Sequence, residues 1–443
     1  MRLNTKYTNE IDPNLDENKI VNLSGWIHEI RNLGGISFLI LRDREGFAQI
    51  TIVKKKTDKL ILEKLENITK ESVIFVTGVV KSEKKVTNGY EIIPTKLTIL
   101  NKSSVPLPMD PTGKVDADLD TRLDSRYLDI RKEKVLTIFK IRSIILNIIR
   151  NYFQNLKFIE VTTPKIVASA TEGGTELFPI SYFEKTAFLN QSPQLFKQIL
   201  MSSGLDRVFE IGPIFRAEEH NTRKHLNEAT SIDIESSFCN DEDIMKILEN
   251  LIYEIYIKLN NNYQYLLKKL DLNLKIPKIP FKRYTYSYVI DILNHQKKNK
   301  EEYIKWGSDL TTKDENDFGK YVFEKTKEDH YFITDWPSEI KPFYVMRNDS
   351  DSKLSKSFDL MHITMELSSG AQRCHNYSDL CLQIKEKGLI VNDFDFYLNA
   401  FRYGMPPHSG FGLGLERLLM TILNIQNIRE TVLFPRDKTR LSP

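Results

Sequence analysis

A densely charged segment between two strand-like stretches most limits how this 443-residue chain can fold. Val208–Ile211 leads into the segment, and residues 230–238 lead out of it with alternating apolar and polar positions. The connection is too long for a two-residue hairpin turn. Its charged side chains cannot form a core: they are Arg216, Glu218, Glu219, Arg223, Lys224 and Glu228. Such a surface suits a ligand with anionic and cationic groups, such as a nucleoside triphosphate with an amino acid. A solvated hairpin with surface ion pairs is the competing interpretation.

A second constraint is the glycine-rich word Gly-Phe-Gly-Leu-Gly-Leu-Glu-Arg-Leu at residues 410–418, followed by an apolar helical pattern up to Leu423. Glycines let a backbone approach another group closely, and Arg417 falls in the first turns of the predicted helix. The glycine spacing differs from that of a dinucleotide-binding fold, and the sequence contains no Gly-Lys-Ser/Thr phosphate loop.

The composition is that of a globular protein, with 41% hydrophobic and 28% charged residues, and the length predicts two or more domains. No apolar run approaches the roughly 20 residues that cross a bilayer, and the first residues lack a signal-peptide core. We therefore expect a cytoplasmic protein with no membrane partner. The three cysteines include no Cys-x-x-Cys pair, which argues against disulfides and structural zinc.

Together the two segments resemble motifs 2 and 3 of class II aminoacyl-tRNA synthetases. Four further words resemble the aspartyl-tRNA synthetases of the archaeal and eukaryotic type: Thr-Glu-Gly-Gly-Thr-Glu (171–176), Gln-Ser-Pro-Gln-Leu-Phe-Lys-Gln (191–198), Glu-Leu-Ser-Ser-Gly-Ala-Gln-Arg (366–373) and Leu-Phe-Pro-Arg-Asp (433–437). The resemblance covers essentially the whole chain. It implies an α+β fold, with an N-terminal oligonucleotide-binding (OB) β-barrel and a class II catalytic domain whose mainly antiparallel sheet is flanked by helices.

Residues 20–100 predict a small β-domain on their own pattern. Five strand-like runs occur, with a helical pattern at 59–65 between the third and fourth, which matches an OB barrel. Residues 1–104, assigned to this domain, carry 17 basic and 13 acidic side chains, whereas the whole chain has a net charge of +3. The basic excess therefore lies at the N-terminal end, although solvated faces commonly carry such an excess.

A segment rich in proline and glycine separates the two predicted domains. It spans 105–130, and its composition disfavours regular structure and indicates a hinge. The catalytic domain is expected at 131–443. An amphipathic helical pattern followed by a strand forms motif 1, which the resemblance identifies as the seam of a homodimer. The expected positions are about 132–164 for motif 1, about 208–238 for motif 2, about 410–423 for motif 3 and about 261–351 for a less regular insertion.

The resemblance also implies the reaction, in which an amino-acid carboxylate attacks the α-phosphate of ATP without a protein nucleophile. The enzyme would position two anions and neutralise the charge that develops on phosphate oxygens. Arg216 would bridge the carboxylate and the α-phosphate, Glu218 would hold the adenine amino group and Arg417 the γ-phosphate. The implied ATP-binding set is Arg216, Ala217, Glu218, Lys224, His225, Leu226, Glu366, Gly414, Leu415, Glu416 and Arg417, and the implied catalytic set is Arg216, Glu366 and Arg417. Mg²⁺ is the expected cofactor, held by oxygen donors of Glu366, Ser369 and Asp359.

Lys197 and Arg373 are the positions that the resemblance assigns to the aspartate side chain. Two cations in a closed pocket require an anion, which the β-carboxylate supplies, whereas asparagine would leave both unpaired. Asp233, facing the other way, would hold the substrate ammonium. The implied aspartate-binding set is Glu172, Gln194, Leu195, Phe196, Lys197, Arg216, Asp233, Ser369 and Arg373.

One position departs from the family pattern. The family usually has arginine before His-Leu-Asn-Glu, whereas here Lys224 precedes His225 and Arg223 comes one residue earlier. Lysine binds phosphate as a point charge rather than bidentately. Either Arg223 or Lys224 could therefore contact the triphosphate.

RNA contacts are implied on strands two and three of the barrel. Phe38 and Gln49 match the residues that grip the central uracil of the anticodon, with Arg31 and Glu91 as further contacts, although Phe38 could instead be barrel core. Family members that charge only tRNA-Asp tend to carry Trp where this chain has His28, and members that also charge tRNA-Asn tend to carry His. A second determining position lies near Thr87. The partners implied are tRNA-Asp, tRNA-Asn, L-aspartate, ATP and a downstream amidotransferase that converts Asp-tRNA-Asn.

Three other functions compete with this one. An asparaginyl-tRNA synthetase is a close relative, but the 191–198 word and Asp233 belong to the aspartate branch. A synthetase-like RNA-binding protein without acylation would be favoured by loss of Arg216, Glu366 or Arg417, and all three are present. The related asparagine synthetase lacks an anticodon barrel, which residues 20–100 supply.

Overall fold

Alternating apolar and polar residues build a closed five-stranded barrel in the first of the two units of the chain, residues 1–128. The structure is a computed structural model, and it describes residues 5–168, 177–219 and 222–442. Inward-facing side chains such as Leu23, Ile50 and Ile92 are fully buried. Around the barrel the order is β1-β2-β3-β5-β4, with bounds β1 Ile20–Leu33, β2 Ile36–Arg42, β3 Phe47–Val53, α1 Lys59–Asn67, β4 Val73–Ser82 and β5 Tyr90–Asn101.

The chain between barrel and second unit is irregular at first. Residues 102–118 contain no helix or strand, and two short helices follow, α2 (Leu119–Asp124) and α3 (Arg126–Asp129). Asp118 caps the first turn of α2 by accepting a hydrogen bond from the backbone N–H of Thr121.

The second unit, residues 129–443, contains an eight-stranded sheet in the order β12-β13-β14-β15-β16-β11-β10-β6. All neighbouring strands are antiparallel except the two outermost pairs, β6 with β10 and β12 with β13. A small sheet has the order β7-β9-β8. The strand bounds are β6 Ile159–Glu160, β7 Ile166–Val167, β8 Pro179–Tyr182, β9 Lys185–Leu189, β10 Arg207–Phe215, β11 Glu228–Ser237, β12 Lys282–Thr285, β13 His330–Thr334, β14 Ser357–His362, β15 Met365–Gln372 and β16 His408–Gly414.

Helices cover this sheet, and the helix of motif 1 is the longest of them. Its residues Ile141, Ile145 and Ile149 recur every four positions and are fully buried in the main core, where they meet apolar residues of α6 and α12. The helix bounds are α4 Glu133–Asn155, α5 Gln194–Met201, α6 Asp241–Asn262, α7 Gln264–Lys269, α8 Tyr286–Gln296, α9 Thr312–Thr326, α10 Tyr377–Glu386, α11 Asp395–Arg402 and α12 Leu415–Leu423.

Residues 261–351 are more regular than the sequence suggests. The segment is expected to be a less regular insertion; in the structure it supplies the helices α7, α8 and α9 and also the strands β12 and β13 at one end of the main sheet. Its polar, Asn- and Lys-rich composition hides this order, because the apolar residues that pack are few and widely spaced. Downstream, residues 356–367 comprise β14, a turn and the start of β15.

The predicted α+β fold is confirmed, with an OB-type barrel and a mainly antiparallel sheet flanked by helices. Among the described residues, no helix is both long enough and apolar enough to cross a membrane. Cys239, Cys374 and Cys381 are all free.

Candidate active site

The motif 2 hairpin is fixed at the base of its loop. Strands β10 and β11 pair without interruption from Arg207 opposite Ser236 to Phe215 opposite Glu228. Beyond the last pair, the side-chain amide of Asn227 donates to the carbonyl of Arg216 at 2.6 Å and to that of Glu218 at 3.2 Å. Arg216 thus leaves the sheet in a defined direction, although its side chain is 48% exposed.

A cavity of about 380 Å³ opens over the hairpin and β16. It brings together side chains as far apart in the sequence as Gln191 and Ile428, from the charged segment, the glycine-rich word and the 366–373 word. The predicted residues that line it are Gln194, Arg216, Glu218, Lys224, His225, Leu226, Asp233, Glu366, Ser369, Arg373, Gly414, Glu416 and Arg417.

At one end of the cavity, Arg417 contacts two neighbours. It donates to the backbone carbonyl of Glu366 at 3.1 Å and contacts Nε2 of His225 at 3.3 Å. Because a guanidinium only donates, Nε2 of His225 is the acceptor, and Nδ1–H donates to the hydroxyl of Thr222 at 2.5 Å. Burial lowers the pKa of His225, so the ring is neutral at this cationic end of the cavity.

The two adjacent cations of the motif 2 loop have different surroundings. Lys224 lines the cavity, and its ammonium donates to the carbonyl of Thr364 at 2.6 Å. Arg223 is exposed and is not among the cavity-lining residues. The structure therefore places Lys224, rather than Arg223, at the end of the cavity that contains Arg417.

At the other end, Lys197 and Arg373 converge on a carboxylate that the sequence did not single out. Glu235, fully buried, lies 3.5 Å from the Lys197 ammonium and accepts from Arg373 Nε at 3.0 Å. Lys197 also donates to Asp233 Oδ1 at 2.9 Å and to two backbone carbonyls. Two cations and two carboxylates thus form a buried cluster with no net charge, which we call the four-charge cluster.

This cluster corrects two expectations. Asp233 was expected to face away from Lys197, but it is the direct partner of Lys197. Lys197 was expected to be unpaired until aspartate binds, but its ammonium has protein acceptors and the residue does not line the cavity. Arg373 is different: it lines the cavity, and its Nη1 has no hydrogen-bond partner among the described residues. Arg373 is therefore the cation of the cluster that can reach a ligand.

A buried hydrogen-bond relay orients Arg373 from behind. Arg373 Nη2 donates to the side-chain oxygen of Gln194 at 3.3 Å, and the Gln194 amide donates to Gln198 at 2.9 Å. Gln198 contacts Nε2 of His408 at 3.0 Å, while Nδ1–H of that ring donates to the carbonyl of Pro406. Each amide has only one orientation that satisfies both neighbours, so the relay fixes the position of the guanidinium.

The motif 3 glycines make room for the carboxylates of the cluster. Gly410 lies opposite Glu235 and Gly412 opposite Asp233 in the pairing of β11 with β16. A Cβ at Gly410 would lie 2.2 Å from a carboxylate oxygen of Glu235, and one at Gly412 would lie 3.3 Å from Asp233. The close approach predicted for these glycines is thus to side chains of the neighbouring strand.

The predicted metal ligands occupy neighbouring positions on β14 and β15. Asp359 on β14 pairs with Ser369 on β15. The strand pairing is irregular between this pair and the pair that contains Glu366, so the side chains of Glu366 and Ser369 both face the cavity. Asp359 is buried, with Lys341 donating to Oδ2 at 3.0 Å and no hydrogen bond to Oδ1. Carboxylate and hydroxyl oxygens suit Mg²⁺, which keeps waters and phosphate oxygens as its other ligands. The described residues hold no cluster of three His, Cys, Asp or Glu side chains able to bind a metal.

Several predicted residues have structural surroundings instead. Leu415 belongs to the main hydrophobic core and Leu195 to a second core, while Leu226 belongs to the main core and also borders the cavity. Phe196 and Ala217 are partly buried and do not line the cavity. Glu416 borders the cavity, but its carboxylate accepts hydrogen bonds from Arg142 at 2.8 Å and from the backbone of Thr230 at 2.9 Å. Glu172 lies outside the described residues.

Sequence reasoning missed residues whose role depends on the tertiary structure. Glu235 ends the charged segment but carries no signal beyond its alternation with Asp233 on β11. Lys341, in the segment expected to be irregular, lines the cavity and pairs with Asp359. Glu315 lies near the same end: burial raises its pKa to about 7, and the charge of Glu366 acts in the same direction. No motif predicts Lys341 or Glu315.

In the barrel unit, the predicted RNA contacts share one outer face. Arg31, Phe38 and Thr51 are cross-strand neighbours, as are Gln49 and Glu91. Phe38 is half-buried and lies outside the barrel core, because its neighbour Leu39 occupies the inward position. The Gln49 amide donates to Glu91 at 3.3 Å. Thr87 is exposed in the loop between β4 and β5.

Comparison with known proteins agrees with this geometry. Residues 118–438 match the model of class II tRNA synthetases (D, K and N), and residues 21–100 match that of the OB-fold nucleic acid binding domain. An aspartate–tRNA(Asp/Asn) ligase of Methanococcoides burtonii is 57% identical over 99% of this chain and 98% of that protein. An aspartate–tRNA(Asp) ligase of Pyrococcus furiosus is 53% identical over the full length of both.

Among solved structures, that of asparaginyl-tRNA synthetase from Pyrococcus horikoshii complexed with asparaginyl-adenylate covers all of both chains, with a TM-score of 0.91 and 31% identity. The sequence relatives are far closer than this structural neighbour, and both family models match in the expected order. The chain therefore belongs to the class II tRNA synthetases of the D, K and N group, and within that group to the archaeal-type aspartyl-tRNA synthetases with an N-terminal OB-fold domain.

Proposed function

We propose that this protein activates L-aspartate with ATP and transfers the aspartyl group to the 3′ end of both tRNA-Asp and tRNA-Asn. The observation that carries the choice of amino acid is Arg373, a buried cation that faces the cavity with one guanidinium nitrogen unpaired. The four-charge cluster to which Arg373 belongs has no net charge. A ligand carboxylate would therefore bind to the free N–H donor of Arg373, and not to a general excess of positive charge.

Activation requires the carboxylate and the α-phosphate, which repel one another, to be held in line. Arg216 lines the cavity, and its half-exposed guanidinium would contact both anions. Arg417 and Lys224 supply positive charge at the far end, where they would hold the distal phosphates. Neutral His225 keeps Arg417 in place by accepting its hydrogen bond. Glu218, 3.8 Å from Arg216, lines the same wall and would accept from the adenine amino group.

Magnesium fits the oxygen donors of Glu366, Ser369 and Asp359, and when bound it would neutralise phosphate charge. Without metal, Lys341 supplies the positive charge beside Asp359, because its ammonium lies 3.0 Å from Oδ2. Burial raises the pKa of Asp359, and the positive charge of Lys341 opposes that rise.

Selection against asparagine follows from hydrogen-bond polarity. Arg373 offers donors only, because a guanidinium cannot accept a hydrogen bond, and the relay from His408 through Gln198 and Gln194 holds it in position. A carboxylate accepts from them with both oxygens, whereas an amide would place its NH₂ against a cation. An unmatched buried donor costs about 1–3 kcal/mol, and more when it is charged, which corresponds to at least tenfold discrimination.

Transfer to tRNA-Asn as well as tRNA-Asp is supported by two observations. The M. burtonii relative is named for both tRNAs, although the P. furiosus relative, only slightly less similar, is named for tRNA-Asp alone. His28 stands where members that charge both tRNAs tend to carry histidine. The proposal further comprises a homodimer formed through motif 1, a cytoplasmic location and an amidotransferase that acts on the Asp-tRNA-Asn product.

The test is aminoacylation of purified tRNA-Asp and tRNA-Asn transcripts with labelled aspartate, alongside pyrophosphate exchange with aspartate and with asparagine. We expect both tRNAs to be charged with kcat/KM values within about tenfold of one another, and exchange to depend on aspartate. Failure to charge tRNA-Asn at enzyme levels that saturate tRNA-Asp would restrict the function to tRNA-Asp. Equal exchange with asparagine would overturn the choice of amino acid.

A further inference from the structure

His28 occupies an irregular position in strand β1. Ile27 pairs with Leu41 and Glu29 with Ile40 on β2, so His28 is the extra residue of a β-bulge. Opposite the bulge, the backbone N–H of Glu71 donates to the Ile27 carbonyl at 2.7 Å, and Ile27 N–H donates to the Ser72 carbonyl. Bulges redirect a side chain that regular pairing would send to the wrong face.

A buried ion pair holds the ring that this bulge presents. Arg42 and Glu71 form two hydrogen bonds, at 3.1 and 2.6 Å, with side chains only 6% and 1% exposed. Glu71 adopts a left-handed backbone conformation (φ 64°), which a non-glycine residue rarely adopts and which aims its carboxylate at Arg42. Arg42 Nη1 also lies 2.8 Å from Nδ1 of His28.

The position near Thr87, which the resemblance also associates with the choice of tRNA, is connected to the His28 ring. The His28 ring packs on Phe47 with centroids 5.0 Å apart. The side-chain amide of Asn88, the residue after Thr87, donates to the Phe47 carbonyl at 2.5 Å. The loop of Thr87 and the bulge of His28 therefore meet at Phe47, on the same end of the barrel.

The ion pair decides the tautomer of His28. A guanidinium can only donate, so Nδ1 must be the acceptor and the ring proton must be on Nε2. Nε2 has no hydrogen-bond partner among the described residues and is not one of the buried atoms without a partner, so it is open to solvent. Burial lowers the pKa of His28, and Arg42 and Lys114 act in the same direction, against the opposing charges of Glu71 and Glu29. The exposed edge of the ring is thus a neutral donor.

We propose that Arg42 and Glu71 are positioning residues for tRNA selection: they fix His28 so that Nε2–H is presented as a donor to the anticodon base in which tRNA-Asn and tRNA-Asp differ. This inference rests on the proposed charging of both tRNAs. The codons for asparagine and aspartate differ in their first base, so the anticodons differ in one pyrimidine, uracil or cytosine. Uracil carries the acceptor O4 where cytosine carries an amino donor.

The tautomer therefore has a direct consequence for recognition. A protonated Nε2 matches O4 of uracil, whereas an unprotonated Nε2 would match the cytosine amino group and repel O4. With the ring fixed as a donor, the uracil of tRNA-Asn gains a hydrogen bond that supports its acceptance. Buried ion pairs contribute little net stability, so a structural role alone does not explain why Arg42 is aimed at a histidine.

The test is the double variant Arg42→Gln/Glu71→Gln, which removes both charges together and leaves neither buried charge unpaired. The glutamine at position 42 can offer its carbonyl to Nδ1–H, which releases the tautomer. We expect kcat/KM for tRNA-Asn to fall at least tenfold while that for tRNA-Asp stays within threefold. Pyrophosphate exchange should be unchanged, because it does not involve tRNA. Glu63→Gln, which alters an exposed carboxylate on α1 of the same unit, is the matched control and should leave both tRNAs unaffected.

The second measurement is made on the wild-type protein and does not depend on the variant folding. In ¹⁵N-histidine-labelled protein, with the His28 signals assigned by loss in His28→Gln, the ring nitrogen shifts at pH 7.5 should show a proton on Nε2 alone. A proton on Nδ1 would overturn the inference. So would a double variant that folds and keeps the wild-type ratio of tRNA-Asn to tRNA-Asp charging. If the wild-type protein charges no tRNA-Asn at all, the proposed function fails first, and the inference fails with it.

Discussion

At the scale of single residues, the motif 2 loop shows how neighbours in sequence can have unrelated roles. Arg223 and Lys224 both carry a positive charge, and the sequence cannot assign the triphosphate to either. The hairpin sends only Lys224 into the cavity, where a backbone carbonyl holds its ammonium. A single point charge replaces the bidentate contact that an arginine would make there.

We predict that Lys224→Met raises KM for ATP about tenfold or more, because a charged hydrogen bond to phosphate contributes about 1.5–3 kcal/mol. Arg223→Met is the matched control: it removes the same charge one residue away and should change KM less than threefold. Pyrophosphate exchange at saturating aspartate measures both. Equal effects in the two variants would contradict the assignment of Lys224 to the cavity.

The two cations of the four-charge cluster also differ in their surroundings. Lys197 is surrounded by Asp233, Glu235 and backbone carbonyls, so it balances buried charge, whereas Arg373 presents a free donor to the cavity. The sequence alone does not distinguish Lys197 from Arg373, because each is a single basic residue within a family motif. Their difference arises from Glu235, which shares its carboxylate between them.

At the scale of elements, β16 is shaped by the strand beside it. Its alternate positions Gly410 and Gly412 face Glu235 and Asp233 across the pairing with β11, and a side chain at either position would intrude on a carboxylate. Gly414 is different, since it precedes α12 and a Cβ there would have no neighbour closer than 3.8 Å.

We predict that Gly410→Ala lowers the free energy of unfolding by about 3 kcal/mol or more, because the new methyl group would overlap Glu235 and the Ile234 carbonyl. Gly414→Ala on the same strand should change it by less than about 1 kcal/mol, since its φ of −75° suits any residue. Denaturant unfolding of the two variants makes the comparison. A Gly410→Ala protein as stable as Gly414→Ala would show that the carboxylates do not require the space.

At the scale of the whole molecule, buried histidines make the fold sensitive to acid. Burial lowers the pKa of His408 to about 4 from its usual 6.5, and His362 behaves in the same way. The folded state therefore keeps His408 neutral, while the unfolded chain takes up a proton below pH 6.5. The stability that this difference contributes is fully present above pH 6.5 and is lost as the pH falls toward 4.

We predict that the wild-type protein loses about 2 kcal/mol of stability between pH 7 and pH 5 through His408 alone. His408→Gln keeps a donor for the Pro406 carbonyl and an acceptor for Gln198, but it cannot titrate. The stability difference between wild type and variant, measured by denaturant unfolding at the two pH values, should shrink by that amount at pH 5. An unchanged difference would mean that His408 does not titrate on unfolding.

Much of this architecture could be predicted from the sequence, because its signals are local. The alternation of apolar and polar residues predicted the five barrel strands. Isoleucines spaced four positions apart predicted helix α4. The predicted ends lie within a few residues of the observed ends. Charge density located the motif 2 loop. The edge strand β12 and its neighbour β13 were missed, since they are short and lie in a polar segment whose pattern is weak.

The site was harder to predict than the fold, because its parts meet only in three dimensions. Motif words supplied Arg216, Arg373 and Arg417, but they also supplied Leu195 and Leu415, which belong to cores. Lys341 and His408 carry no local signal. Their roles come from the neighbours that the sheet and α5 bring to them, and no pattern within one segment contains that information.

The pairing of β11 with β16 ties the cavity to the core. Asp233 and Glu235 alternate with Ile232 and Ile234, so the acids face Lys197 and Arg373 while the isoleucines lie in the core. A slip of one position would exchange the two faces. A chain with such a slip would expose its isoleucines and lose the four-charge cluster at the same time, so an altered cavity would always be accompanied by a damaged core.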